Sequence, residues 1–200
     1  MGGVRQAQKA QTRQKVLAAA RELFIDVGYE AATVRMIADR AGVSAGSVFT
    51  TFPSKLAILR EVMDERLESL CAELENVAPH LRGSTVDRLC SVMAVHYDFE
   101  MRRPRLFTAF LAANFEWVTG GPVVTFGQQP RLTGMLRDIL QNGVDTGQVR
   151  PDADLDGFIG VLVAVYGFNY RYAAQEGVKA DELSRMMDRQ IGLMFAGIAA

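Results

Sequence analysis

The stretch Thr33–Lys55 constrains the fold of this chain more than any other. Thr33 is a good helix N-cap, because its hydroxyl oxygen can accept a hydrogen bond from an N–H of the first turn. Apolar residues then recur at helical spacing until Gly42, a residue that adopts left-handed backbone at a helix end without a Cβ clash. Ser44 can cap a second short helix. Two short helices joined by a glycine-containing turn predict a helix-turn-helix, which places its second helix in the DNA major groove.

The rest of the chain also has a helical pattern, with few and widely spaced glycine- or proline-containing breaks. This pattern predicts an all-α protein of about nine helices. An irregular arm is expected over residues 1–11, followed by three helices that form a small N-terminal head. A long helix is predicted over Ser54–Val77, so we place a domain boundary between residues 1–53 and residues 54–200. We expect the interior of the head to contain Leu23, Phe24, Ile37, Val48 and Phe52.

Charge is distributed unevenly along the chain. Residues 1–60 contain nine Lys and Arg against four Asp and Glu, a net charge of +5, so the remainder carries −6 of the total of −1. A basic end on an acidic body indicates one surface that meets a polyanion. On charge alone, the alternative is a chance fluctuation on solvated faces.

Composition excludes several classes of protein. Residues 1–14 are basic and lack the apolar segment of a secretory signal, and no apolar run reaches the ~18–20 residues of a membrane helix. Cys71 and Cys90 are too few for a disulfide framework, which fits a reducing compartment. We therefore expect a cytoplasmic protein with no membrane partner.

Two short motifs match known sites in their letters only. Gly42–Gly46 fits the G-x-S-x-G pattern of serine hydrolases, but that elbow follows a β-strand, and only His80 or His96 could act as the base. Asp152–Gly157 copies the start of a calcium-binding loop, whose twelfth position should be Glu and is here Val163. Acidic residues at a helix N-terminus explain this cluster better. We expect no catalytic residues, no metal and no cofactor.

At residues 42–55 the run GVSAGSVFTTFPSK resembles the recognition segment of the tetracycline-repressor (TetR) family. Residues 12–38 also resemble that family's first helix and its entry into the second. The similarity covers residues 12–60, and beyond it only length and helical pattern agree. The resemblance implies an N-terminal helix-turn-helix DNA-binding domain followed by a helical ligand-binding and dimerisation domain.

The resemblance also assigns ten DNA-contacting residues. Arg35 corresponds to a base-reading position of the second helix, and its guanidinium suits guanine O6 and N7. Ala45 and Gly46 are small residues at base-facing positions, while most of the others match phosphate-contacting positions. The full set is Thr33, Arg35, Ser44, Ala45, Gly46, Ser47, Phe49, Thr50, Thr51 and Lys55.

Some of these residues have a second explanation or depart from the family pattern. Thr33 and Ser44 can serve as helix caps alone, although capping does not exclude a phosphate contact. Phe49 stands where the family usually has Tyr, so an apolar contact to a thymine remains but a hydroxyl–phosphate bond does not. Arg40, which lies outside the set, is expected on a solvated face.

An aromatic-rich middle region is the candidate effector pocket. Ligand pockets are typically apolar with a few polar groups that fix orientation, and His96 and Asn114 are the polar positions to test first. Aromatic residues at helical spacing are also typical of plain core, so that alternative stays open. The candidates are Met93, His96, Tyr97, Glu100, Phe107, Phe110, Asn114, Trp117, Tyr166 and Tyr170.

The last two predicted helices, about Asp154–Glu176 and Lys179–Ala199, are strongly apolar. Leu183, Met187 and Ile191 share one face of the second of them. An intramolecular core is one explanation. In the resembled family these helices pack against their copies in a second subunit, so the resemblance implies a homodimer.

These inferences lead to one functional expectation and one alternative. The resemblance implies a one-component transcriptional regulator, in the first place a repressor, that binds a palindromic double-stranded DNA operator as a dimer. A small, largely apolar effector would tilt the Ser54–Val77 helix and release the DNA. The residues do not distinguish repression from activation. The alternative is a helical small-molecule-binding or structural protein with a vestigial DNA-binding head, which the low polarity of Ala45, Gly46 and Phe49 keeps open.

Overall fold

The computed structural model describes residues 2–114 and 129–200, in which the chain forms nine α-helices and one short 3₁₀ helix, Ala78–His80. The only strand-like pairing in these two ranges is an isolated antiparallel bridge between Val149 and Ala199. The expected all-α fold is therefore confirmed. The α-helices are α1 (Gly2–Asp26), α2 (Val34–Ala41), α3 (Ala45–Thr51), α4 (Lys55–Val77), α5 (Thr85–Met101), α6 (Pro104–Asn114), α7 (Pro130–Asp145), α8 (Leu155–Glu176) and α9 (Ala180–Phe195).

The described residues divide into two compact units. The first contains residues 2–68 and 103–114, and the second contains residues 69–102 and 129–200. These units reflect compactness and do not decide where DNA binding ends and effector binding begins. The functional division into residues 1–53 and 54–200 stays a prediction.

Helix α1 begins much earlier than the sequence pattern indicated. The irregular arm expected over residues 1–11 was wrong, because the chain is already helical from Gly2. Residues 6–14, QAQKAQTRQ, are mainly Ala, Gln, Lys and Arg, which are strong helix formers. They have no apolar face, so a search for hydrophobic periodicity misses them.

Local capping determines the helix-turn-helix. Thr33 Oγ1 accepts a hydrogen bond from the N–H of Met36 at 3.1 Å, and Ser44 Oγ accepts one from the N–H of Ser47 at 3.1 Å. Between them Gly42 has φ of 67°, and the N–H of the next residue, Val43, donates to the carbonyl of Ala38 at 3.0 Å. This is the left-handed helix end that favours glycine. The predicted caps and turn are confirmed.

The first unit has one apolar core. The five residues expected inside the head are all at most 2% exposed: Leu23, Phe24, Ile37, Val48 and Phe52. Helix α6 packs against α1 in the same unit and adds Leu106 and Phe107, each 1% exposed. The short helices α2 and α3 are thereby held on α1 by burial of apolar side chains, the dominant favourable term in folding.

In the second unit, helices α5, α7, α8 and α9 pack on one another. Helix α5 starts with a capping box, in which the Asp87 carboxylate accepts from the Ser84 N–H at 2.8 Å while Ser84 Oγ accepts from the Asp87 N–H at 3.2 Å. Leu89, Tyr97, Leu140, Leu162, Tyr166, Tyr170, Leu183, Met187 and Ile191 are fully buried. The apolar stripe predicted on the last helix therefore lies in an intramolecular core.

Helix α9 ends at Phe195, four residues before the predicted end at Ala199. The chain turns there because the N–H of Arg150 donates to the carbonyl of Ile198 at 2.9 Å, and its guanidinium donates to the carbonyl of Gly197 at 2.8 Å. Across the described ranges, no helix combines the length and apolarity needed to cross a bilayer.

Candidate functional site

The exposed side of α2 and α3 holds most of the residues predicted to contact DNA. Thr33, Arg35, Ser44, Ala45, Gly46, Phe49 and Thr50 are exposed, whereas Ser47, Thr51 and Lys55 are half-buried. All ten lie in the first unit, on the two short helices, their caps or the first residue of α4. The structure therefore brings them onto the helix-turn-helix as the sequence predicted.

Arg35 of α2 is exposed and available as a hydrogen-bond donor. Its side chain is exposed, and within the described part of the chain its guanidinium makes no hydrogen bond or ion pair. By contrast, Arg40 on the same helix is paired with Asp26 at 3.1 Å and lies 3.5 Å from Glu22. A guanidinium presents five donors in a rigid planar fork. Arg35 can therefore engage two acceptors at once without breaking an existing contact.

The hydroxyl groups at the helix caps keep O–H protons that the capping hydrogen bonds do not use. Thr33 Oγ1 uses its acceptor capacity for the cap, which leaves its O–H free to donate. Ser44 Oγ and Ser47 Oγ are 2.8 Å apart, so one donates to the other and one O–H of the pair stays available. Each cap can bind an anionic oxygen while it continues to cap its helix.

Thr50 and Thr51 are arranged differently from the caps. Thr50 Oγ1 donates to the carbonyl of Gly46 at 2.8 Å, and Thr51 Oγ1 donates to the carbonyl of Ser47 at 2.9 Å. A hydroxyl has only one proton to donate. Neither can donate to a phosphate in this arrangement, so these two contacts stay predictions that require the hydroxyl to rotate.

Lys55 is engaged within the first unit. Its ammonium donates to the carbonyls of Tyr29 at 2.8 Å, Ala32 at 3.0 Å and Glu30 at 3.4 Å. It also lies 4.2 Å from the centre of the Tyr29 ring. The side chain predicted to contact phosphate thus points at the loop between α1 and α2, and its phosphate contact stays a prediction.

Sequence reasoning missed one exposed apolar side chain on this surface. Met36, the neighbour of Arg35, is 37% exposed, and Phe49 on α3 is 58% exposed. A Met in an amphipathic helix is usually counted as core, so the pattern alone does not single out Met36. Its position next to Arg35 is the only signal that could have found it.

Ion pairs neutralise part of the basic charge of the head. Arg13 and Arg21 on α1 pair with Glu61 and Glu65 on α4, and Arg13 also lies 4.8 Å from the Phe52 ring centre. Surface pairs of this kind add little stability, about 0–1 kcal/mol each. They do reduce the number of cations available to a polyanion.

In the second unit, two of the predicted effector-binding residues line a small cavity. Met93 and His96 of α5 face it, together with Val92, Leu132, Leu136, Leu162 and Val163 from α5, α7 and α8. The volume of about 10 Å³ is enough for roughly one water molecule. Ligand pockets usually measure about 300–1,000 Å³, so these helices must separate before an effector can enter here.

An aromatic and amide cluster lies in the same unit. The His96 and Tyr166 rings stack at 4.5 Å, and Tyr97 lies 5.0 Å from Tyr166 and 6.4 Å from Tyr170. The Asn169 amide donates to the Tyr97 hydroxyl at 3.1 Å. Burial raises the pKa of Tyr97, partly offset by that hydrogen bond.

The remaining effector candidates lie in different parts of the chain. Glu100 is buried in the second unit, whereas Phe107 belongs to the core of the first. Phe110 and Asn114 are in α6, but their side chains, like the whole of Trp117, lie outside the described residues. None of the candidates is shown to contact a ligand, and the set stays a prediction.

The acidic cluster that imitates a calcium loop is a helix start. Asp154 Oδ1 accepts a hydrogen bond from the N–H of Gly157 at 2.9 Å, and Asp156 pairs with Arg137. Within the ranges that the structure covers, no group of three His, Cys, Asp or Glu side chains could hold a metal ion.

Comparison with known proteins assigns this helix-turn-helix to a family. Residues 16–62 match the family described as bacterial regulatory proteins, tetR family. The chain is 29% identical to the transcriptional repressor KstR2 of Mycolicibacterium smegmatis over 153 residues, which cover 75% of this chain and 73% of that protein. It is also 29% identical to the transcriptional repressor AcnR of Corynebacterium glutamicum over 185 residues, which cover 88% and 89% of the two chains.

A solved structure extends the similarity to the whole fold. FadR of Thermus thermophilus, a TetR-family transcriptional repressor in complex with lauroyl-CoA, is similar with a TM-score of 0.68 and 24% identity over 90% of this chain and 92% of that chain. The helix-turn-helix motif, the sequence relatives and the overall fold all indicate a DNA-binding regulator. Residues 16–62 thus carry the DNA-binding domain of the tetR family of bacterial regulatory proteins, and the chain is a DNA-binding transcription regulator, not an enzyme.

Proposed function

We propose that this regulator is a homodimeric, cytoplasmic repressor that binds a palindromic operator and leaves it when a small, largely apolar effector binds. The observation that carries the proposal is the exposed Arg35 of α2, which has no partner among the described residues, together with the small exposed residues Ala45 and Gly46 of α3. The two sequence relatives described above are both named as repressors, and repression is the direction we propose.

Recognition of the operator would combine base reading with phosphate contacts. Arg35 reads a guanine through O6 and N7, and the exposed ring of Phe49 contacts a thymine methyl. Ala45 and Gly46 let α3 sit deep in the major groove. The spare hydroxyl donors at Thr33 and the Ser44 cap bind phosphates that fix the register.

A dimer would form through the outward face of α8 and the end of α9. Val161, Phe168 and Tyr172 on α8 are 51%, 69% and 46% exposed, and Leu193 on α9 is 78% exposed. A Cβ added at Gly160 would meet nothing within 4 Å, so a second backbone can approach closely at this point. Apolar side chains exposed together on two helices mark an interaction surface more often than plain solvent contact.

This face differs from the one singled out by the sequence pattern. The stripe of Leu183, Met187 and Ile191 is used inside the subunit. Other faces of the same two helices expose Val161, Phe168, Tyr172 and Leu193, and we propose these faces as the contact in a twofold four-helix arrangement. Such an interface is isologous, so each residue contributes twice.

Effector binding would open the cavity beside Met93 and His96. Its lining is aliphatic apart from the one imidazole, which favours an apolar effector that carries a polar group. The fold neighbour FadR is bound to an acyl thioester, which supports an apolar class of effector. Because α4 contributes residues to both compact units, a shift at its second half would move the head, and effector and DNA would weaken each other's binding.

The test is DNA binding by Arg35→Ala. On a duplex that wild-type protein selects from a random pool, the substitution should weaken binding by about 1–3 kcal/mol and relax the preference at one base pair. Mobility-shift titrations at two salt concentrations measure both effects. Arg40→Ala is the matched control on the same helix, because Arg40 is already held by Asp26 and should leave the base preference unchanged.

Two results would count against the proposal. An equal loss on all sequences for Arg35→Ala would remove the base-reading role. Failure of wild-type protein to bind any duplex in dilute buffer would favour the alternative of a helical small-molecule-binding or structural protein with a vestigial head.

A further inference from the structure

The ammonium of Lys55 is surrounded by one loop of the head. The carbonyl oxygens of Tyr29, Glu30 and Ala32 lie 2.8, 3.4 and 3.0 Å from Nζ, and the Tyr29 ring centre is 4.2 Å away. A lysine has three N–H donors and no acceptor. The three carbonyls use all of them, and the aromatic face adds a favourable cation–π contact.

The loop that Lys55 holds leads directly into the base-reading helix. Residue 32 is followed by Thr33, the N-cap of α2, and Arg35 lies in the first turn of that helix. The loop follows Gly28, whose φ of 86° makes a sharp turn after α1. The direction of the first turn of α2, and with it the starting point of the Arg35 side chain, therefore depends on where these carbonyls are held.

We infer that Lys55 is a positioning residue: it ties the loop over residues 29–32 to the start of α4 and so aims Arg35 at its base pair. This role rests on the proposed function of Arg35 as a base reader. A side-chain bond from Lys55 to phosphate would instead require the ammonium to leave three carbonyl oxygens, each of which would lose a charge-assisted hydrogen bond.

A lysine suits this place better than an arginine. The carbonyls converge on one point, and a compact ammonium can donate to three acceptors around a single nitrogen. The planar fork of an arginine spreads its donors over three nitrogens in one plane. Lys55→Arg thus keeps the positive charge but cannot donate to the three converging carbonyls from a single nitrogen. This variant therefore separates the positioning role from a simple charge effect.

The experiment measures binding of full-length variants to a fluorescent duplex that wild-type protein has selected from random DNA. The same titrations are run on duplexes changed at the base pair whose preference Arg35→Ala relaxes, at several salt concentrations. The variants are Lys55→Met, Lys55→Arg, Arg35→Ala and the double variant Lys55→Met with Arg35→Ala. Lys15→Met is the control, because Lys15 is an exposed cation with no bond to the described residues.

Positioning predicts a specific pattern. Lys55→Met should bind the selected duplex about tenfold more weakly, as loss of hydrogen bonds to a charged group implies, and should lose preference at the same base pair as Arg35→Ala. The slope of log K against log salt should not change, because no phosphate contact is lost. The double variant should bind no more weakly than Arg35→Ala alone, because both changes act through one contact. Lys15→Met should keep the base preference.

Four outcomes would overturn the inference. A slope reduced by about 0.9 with the base preference intact would make Lys55 a phosphate ligand. Additive losses in the double variant, or no effect of Lys55→Met, would show that Lys55 does not act through Arg35. If Lys55→Met does not fold, Lys55→Arg decides: wild-type affinity and preference in that variant contradict positioning, and a relaxed preference supports it.

Failure of the proposed function gives a different result. If Arg35→Ala changes no base preference, then base reading by Arg35 fails, whatever Lys55 does. If Arg35→Ala relaxes a preference that the Lys55 variants keep, then only the positioning role fails.

Discussion

Phe168→Ala tests the proposed dimer surface most sharply. Phe168 is 69% exposed in the single subunit, and burying a whole Phe side chain contributes about 1.5–3 kcal/mol. Burial of the exposed fraction is therefore worth about 1–2 kcal/mol. A twofold interface contains the residue twice, so truncation should weaken the dimer by about 2–4 kcal/mol, or about 30- to 700-fold in Kd.

The assay is sedimentation velocity over a concentration series, with the weight-average mass as readout. Phe49→Ala is a matched control, because Phe49 is similarly exposed, at 58%, but lies on the head. Phe49→Ala should dimerise like wild type. If Phe168→Ala did so too, or if both variants weakened the dimer equally, the assignment of this face would be refuted.

Gly160→Ala tests the same surface by adding a methyl group instead of removing a side chain. In a single subunit the added Cβ meets nothing within 4 Å, and replacing Gly by Ala inside a helix stabilises it by about 1 kcal/mol. In a close helix pair the same methyl group would push the partner backbone away. Higher stability of the subunit with a weaker dimer is the expected combination, and an unchanged dimer would contradict close approach at Gly160.

Two further predictions concern the second unit. Gly143→Ala should lower the free energy of unfolding in urea by about 1–3 kcal/mol, because the new Cβ would lie 2.6 Å from Thr85 Oγ1. At Gly134 on the same helix an added Cβ meets nothing within 4 Å, so Gly134→Ala should raise stability. Equal effects of the two substitutions would contradict this packing. Burial and a hydrogen bond to Asp188 raise the pKa of the Cys90 thiol from 9.0 to about 12, so iodoacetamide at pH 8 should label Cys90 far more slowly in the folded protein than in urea. The stabilisation linked to this shift is complete below pH 9 and is lost as the pH rises toward 12; rapid labelling of folded protein at pH 8 would show that the thiol is not held in this way.

The helix-turn-helix was predictable because its signals are local. Thr33 caps a helix through the N–H of Met36, three residues on, and Gly42 ends that helix with its own backbone angle. Such features depend on neighbours within one turn, which the sequence displays directly. The buried interior of the head followed from helical periodicity for the same reason.

The role of Lys55 could not be predicted from such local signals. Its acceptors lie 23 to 26 residues earlier in the chain, so only the folded loop brings them together. From the sequence alone, a basic residue at the start of a helix in a DNA-binding head is equally consistent with a phosphate contact and with a contact to a neighbouring loop. Tertiary contacts decide between a phosphate contact and a positioning role, and residue spacing in the sequence does not reveal these contacts.

The free face of α8 was missed for a different reason. From Phe158 to Tyr170 the helix is apolar on nearly every side, so periodicity cannot tell which side the subunit itself covers. The structure buries Leu162 and Tyr166 and leaves Val161 and Phe168 exposed. Packing of α5, α7 and α9 decides this, and those contacts are non-local.

The most direct test of the account is selection of bound duplexes from a random pool by the full-length protein. We expect an enriched inverted repeat whose half-sites are one or more helical turns apart, because two α3 helices related by a twofold axis must enter successive major grooves. Each half-site should contain a guanine whose replacement weakens wild-type protein but not Arg35→Ala. No enriched sequence, or an enriched site without twofold symmetry, would contradict the account.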